Sequence, residues 1–127
     1  MLVSVSSSTP SDLVYDKPTV PIVRTLDSEI NRLSDKYEIS SSTVREIIKC
    51  EGLQYGDTNE NKNKDGKTWS RDFGWLQIND YYHTGTMKEL GLDIHNKWDS
   101  LEYGFILMKK EGLKPWSASK HCWADNI

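Results

Sequence analysis

Between Gln54 and Asp72 the chain reads QYGDTNENKNKDGKTWSRD, a stretch too polar to give any element a core face. Asn, Asp, Gly and Lys dominate it, and Asp65-Gly66 supplies the residue types that a tight hairpin turn needs. It reads as a small β-ribbon or irregular lobe, so the core has to come from the segments on either side. Upstream, Leu26, Ile30, Leu33 and Tyr37 recur at helical spacing and predict a helix over 26–37. A serine run follows, and Thr43 with Glu46 at capping-box spacing predicts a second helix. Downstream, Thr86 with Glu89 and Asp99 with Glu102 repeat that spacing. They predict a short helix stopped at Gly91 and a longer one stopped at Gly112, with Leu101, Phe105 and Met108 as the core face of the latter. Pro115 opens a last helical turn through PWSASKHC. The expected fold is α+β and mainly helical, with a small β-ribbon lobe.

Composition narrows what such a domain can do. At 127 residues there is room for one core, and the 36% hydrophobic content makes that core economical. The first 24 residues lack periodicity and contain SVSSSTPSD and then Pro18 and Pro21, which predicts an extended or disordered lead-in before a domain over 25–127. No apolar run approaches a membrane span, and MLVSV is too short for a signal-peptide core, so a secreted protein would need a signal outside this sequence. A net charge of −3 argues against nucleic acid as the main partner, because neutralising phosphates takes a basic face.

Cys50 and Cys122 stand 72 positions apart, without a CxxC pair, and the three histidines are scattered, so zinc is not expected. Two buried thiols and one disulfide are both open on this spacing. A disulfide would stabilise by roughly 4 kcal/mol on chain-entropy grounds. The frame Asn61, Asn63, Asp65, Gly66 … Asp72 partly fits a calcium loop. It has Asn at its first position, Asp at its last and no entering helix, and an ordinary polar lobe is the better reading. No metal or cofactor is expected.

Two carboxylates stand out. Val44, Ile47 and Ile48 define the buried stripe of the second helix, and the next place on that stripe is Glu51. A carboxyl there would meet desolvation and the negative end of the helix dipole, and both raise its pKa. That is the condition of a general acid near neutral pH; the bland alternative has Glu51 bending out to water from a frayed end. Asp72 opens DFGWLQIND, in which Gln77 and Asn79 crowd against Trp75, Leu76 and Ile78. Two carboxylates facing one cleft would suit glycosidic cleavage, whereas an isolated Asp before a Gly turn is more often a turn-former. Trp75 reads as core, and Tyr82 and Trp69, if they do not fill the core as well, as amphipathic rings suited to stacking in a wet groove such as one for carbohydrate. Arg71 either orients Asp72 or the ligand, or is a solvated surface residue. His83 and His121 read as surface or structural residues.

IIKCEG, then DFGWLQIND, then LEYGFILMKKEGLKPWSASKHCW resemble the lysozyme superfamily over roughly Ser41 to Trp123. The likeness is nearest to bacterial lysozyme-like proteins and soluble lytic transglycosylase domains, and more distant to chicken-type lysozymes. It implies a lysozyme-like fold and cleavage of the β-1,4 bond between N-acetylmuramic acid and N-acetylglucosamine in peptidoglycan. It implies Glu51 as catalytic acid and Asp72 as nucleophile or stabiliser. Gln77 and Asn79 would form the cleft floor, Tyr82 would lie against a sugar ring, and Trp116 would wall the acid in an apolar pocket. It also implies a Cys50–Cys122 disulfide, an extracytoplasmic location, and a monomer whose partner is the glycan strand, with neither nucleic acid nor membrane. The chain departs from the pattern in Gly52 after the glutamate, its acidic charge, a longer lobe and room for a single disulfide. Those departures leave room for a lytic transglycosylase, which manages with one glutamate and gives anhydro products. A non-catalytic cell-wall-binding module and chitin cleavage are the other readings.

Overall fold

The computed structural model describes residues 23–52 and 58–127. Residues 1–22, and Gln54 and Tyr55 in the expected lobe, lie outside the described residues. The rest is α+β and mainly helical. In chain order the elements are α1 (Leu26–Tyr37), α2 (Ser41–Glu51), β1 (Asn59–Lys62), β2 (Thr68–Phe73), β3 (Ile78–Asn79), α3 (Asp80–Glu89) and α4 (Lys97–Glu111). A 3-10 segment (Lys114–Ser119), α5 (Lys120–Trp123) and a 3-10 turn (Ala124–Asn126) follow.

The helix expected over 26–37 is α1. Its N-cap is Thr25, whose hydroxyl accepts from Ser28 N while Ser28 Oγ accepts from Thr25 N, a capping box built from two hydroxyl residues. The other three expected boxes fall inside helices instead. Ser40 caps α2, Asn79 caps α3 and Asn96 caps α4. The physical reason is that i,i+3 spacing also serves helix-interior pairs, while Ser and Asn are first-rank caps in their own right. Glu102, expected at a helix start, reaches Lys36 Nζ at 2.6 Å and accepts from the Tyr37 hydroxyl, clamping α1 to α4. Gly52 and Gly112 terminate α2 and α4, and the last helical region opens as 3-10 rather than α, with Pro115 in its first turn.

The core gathers Ile30, Leu33, Val44, Ile47, Leu76, Ile78, Met87, Leu101, Phe105 and Met108. Burial of this set is the main driving force for bringing the helices together. Leu76 sits so close to Gly104 of α4 that a β-carbon there would stand 3.2 Å from Leu76 Cβ and nearer still to a methyl group. Helix α4 can approach the DFGWLQ turn only because position 104 has no side chain. Trp75 is buried beside Trp98, as its expected core role requires.

The lobe is a three-stranded antiparallel sheet in the order β1-β2-β3. Asn63 Oδ1 and Asp65 Oδ1 both accept from Lys67 N, and Gly66 takes a positive φ of 83°, so the Asp-Gly hairpin is in place. These oxygens, which a calcium loop would turn inwards, close the turn. The register places Asp72 opposite Asn79 on one side and Asn59 on the other, and Asn61 opposite Ser70.

Candidate active site

Side chains alternate along β2, so Ser70 and Asp72 share one face while Trp69 and Arg71 share the other. On the first face a polar ladder surrounds Asp72. Asn79 Nδ2 donates to its Oδ1 at 2.8 Å, and Asn61 Nδ2 donates to its Oδ2 at 3.0 Å. Both amides also reach the buried Ser70 hydroxyl at 3.1 Å. Each Asp72 oxygen thus accepts an amide hydrogen, a role that an ionised carboxylate fills with both oxygens. The Asn79 carbonyl oxygen accepts from Tyr81 N and Tyr82 N. Two donors and two acceptors are the whole capacity of an amide side chain, so Asn79 is engaged on every side by protein.

Gln77 is held in the left-handed region at φ 53°, and its Nε2 donates to Gly74 O at 2.7 Å. The residues quoted in DFGWLQIND therefore divide their labour. Trp75, Leu76 and Ile78 enter the core, while Gln77 and Asn79 tie the turn to the sheet.

A cleft of about 570 Å³ runs along this segment, lined by Asp72, Gln77, Asn79, Tyr82, His83 and Trp116 among others. Its far wall comes from the end of α4 and the 3-10 segment, through Leu107, Glu111, Lys114 and Pro115. Trp116 is buried, and its indole N–H donates to Leu76 O at 2.8 Å, which locks the far wall to the DFGWLQ turn. Tyr82 is 66% exposed at the rim. Five of the sequence-expected residues, Asp72, Gln77, Asn79, Tyr82 and Trp116, are thereby assembled round one cavity.

Glu51 is not part of that cavity wall; it is joined to it electrostatically. Burial raises its pKa above the ordinary 4.5, a hydrogen bond from Ser119 opposes the rise, and the negative charge of Asp72 adds to it. The donor Ser119 Oγ stands 2.9 Å from Glu51 Oε2. The bridge Cys50–Cys122, with Cα atoms 5.8 Å apart, fastens the last turn of α2 to α5 directly beside this contact. The thiol alternative is thereby settled in favour of the disulfide.

Trp69 stands outside the cleft. It is 47% exposed on the opposite face of β2 and meets the Tyr81 ring edge to face at 5.7 Å. Arg71 also points away from Asp72: its Nε lies 3.5 Å from Glu60 Oε2. Strand alternation explains both. His83, expected to be surface or structural, is half-buried in the cleft wall with Nδ1 3.0 Å from the Tyr103 hydroxyl. Burial lowers its pKa, and the Glu111 charge acts in the opposite direction. Asn61 and Ser119 were not singled out as site residues by sequence. Asn61 was legible only through its register with β2, and Ser119 carried no signal beyond its place in the last helical turn. Among the described residues no helix is long and apolar enough to cross a membrane. Comparison with known family models, with curated proteins and with solved structures finds no match to this chain.

Proposed function

We propose that this protein is a glycoside hydrolase of lysozyme type, cleaving the β-1,4 bond between N-acetylmuramic acid and N-acetylglucosamine in peptidoglycan. The observation that carries the reading is the contrast between two carboxyl groups within electrostatic reach of each other. Glu51 is held above the ordinary carboxylate range, first by burial. Asp72 has an amide donor on each oxygen and lines an open cleft. A half-buried carboxyl near a second one that is hydrogen-bonded and open to a cleft is the arrangement of a proton donor with a partner carboxyl, for which lysozyme is itself the standard worked example.

In this reading Glu51 protonates the leaving glycosidic oxygen as the C1–O bond breaks, and Asp72 either bonds to C1 or stabilises its developing positive charge. Water then attacks C1, displacing the Asp72 carboxylate where it had bonded, and gives a proton to Glu51. Gln77, Tyr82 and Trp116 line the groove along which the strand lies. A disulfide belongs in an oxidising compartment, which fits action on the cell wall from outside the cytoplasm.

Mass spectrometry of fragments released from purified peptidoglycan tests this. Hydrated reducing ends, absent with Glu51→Gln and strongly reduced with Asp72→Asn, are the expected result. Anhydro-muramyl ends that survive Asp72→Asn would replace hydrolysis by lytic transglycosylation, with the ladder round Asp72 serving the fold alone. Binding without fragments would make the domain a cell-wall-binding module.

A further inference from the structure

Ser119 joins Glu51 to two buried tryptophans. Its hydroxyl oxygen lies 2.9 Å from Glu51 Oε2 and 3.2 Å from the Trp116 carbonyl oxygen, and it accepts the Trp123 indole N–H at 3.1 Å. That same N–H reaches the Trp116 carbonyl at 3.2 Å. A hydroxyl has one hydrogen to give. With Trp123 pointing its N–H at the Ser119 oxygen, the hydroxyl hydrogen must turn away from the indole. Of its two acceptors, the Trp116 carbonyl is the more distant and already receives Trp123. Glu51 Oε2 is nearer and carries charge whenever Glu51 is ionised, which makes it the stronger acceptor.

We propose that Ser119 is the positioning residue of the acid. It ties Oε2 back to the 3-10 segment, so that the transferable proton of Glu51 resides on Oε1. Among the described residues no hydrogen-bond partner engages Oε1, and Asp72 is the charged group acting on this carboxyl. The proposal rests on the glycosidase reading above. In the first step the Oε1 hydrogen passes to the leaving sugar oxygen, and the Ser119 hydroxyl goes on donating its own hydrogen to Oε2 throughout. In the second, the water that bonds to C1 gives a proton back to Oε1. Proton donor and acceptor are then one oxygen, held in one place for both halves of the cycle. The disulfide serves the same geometry, since Cys50 precedes Glu51 and Cys122 precedes Trp123.

The test compares Ser119→Ala with Ser119→Thr, which keeps the hydroxyl, after thermal melts establish that both fold. Carbon-13 NMR of the Glu51 carboxyl follows its titration without need of catalysis. Ser119→Ala should move that titration upward, because a hydrogen bond to the charged form is lost, and Ser119→Thr should restore it. On soluble peptidoglycan fragments Ser119→Ala should lower kcat about tenfold, the scale of one lost hydrogen bond. KM should change little, and the alkaline limb of the pH profile should follow the titration. An unmoved titration with unchanged kcat would overturn the proposal. A moved titration in a protein that is inactive even as wild type would instead overturn the glycosidase reading and, with it, the catalytic role given to Ser119.

Discussion

Asn79 and Asp72 face each other across β2 and β3, joined Nδ2 to Oδ1 at 2.8 Å, while the other end of the same amide caps α3. One side chain thus starts a helix and holds a carboxylate. Asn79→Asp separates the two duties. Aspartate caps as well as asparagine does, but it places a second carboxylate against Asp72 in place of a donor. We expect a loss of about 1.5–3 kcal/mol at neutral pH, the range for hydrogen bonds to charged groups. Urea unfolding at pH 7 and pH 4 checks this, with part of the loss recovered at the lower pH as one carboxyl takes up a proton.

Glu51 makes a pH-dependent demand on the fold. Its folded pKa is raised, so the folded state holds this proton more tightly than the unfolded chain. Its contribution to stability is therefore complete below about 4.5, the ordinary value, and is lost as pH rises through the raised one. Glu51→Gln should melt higher than wild type at pH 7, with the gap closing in acid. If the proposed glycosidase reading holds, the same variant should lose activity by about a hundredfold or more, the usual worth of a general acid.

His83 carries the opposite sign. Burial lowers its pKa below 6.5, so its contribution is present above that value and lost as pH falls through the lowered one. His83→Gln should flatten the acid side of the stability profile between pH 6.5 and the onset of general acid unfolding. Thermal melts across that interval, against wild type, measure it.

Gly104→Ala probes the contact with Leu76. The added methyl gains up to about 1 kcal/mol in helix propensity but overpacks against Leu76, at a cost of about 1–3 kcal/mol. Net destabilisation is expected. Leu76→Val should be less harmful in the Gly104→Ala background than alone, and a double-mutant cycle in urea reads the coupling.

Which features were legible in the sequence follows from the range of the interactions involved. Helix α1, the Asp65-Gly66 turn and the Glu51 stripe are set by neighbours within a few positions, and pattern alone places them. The caps of α2, α3 and α4 were misplaced because the same three-residue spacing occurs inside helices. The face of Trp69 and Arg71 depended on the register of β2, which no local pattern states. Ser119 meets Glu51 across 68 positions of chain, through a fold in which helix, sheet and disulfide must all be in place first.

The bridge between Cys50 and Cys122 closes a loop that contains the whole β lobe, α3 and α4, and its two ends abut Glu51 and Trp123. Oxidation therefore fastens the end of α2, with Glu51, to the segment that carries Ser119 and Trp123. In a reduced chain the end of α2 would be unfastened from that segment. The redox state of these two cysteines would then set how firmly Glu51 and Ser119 are held against each other.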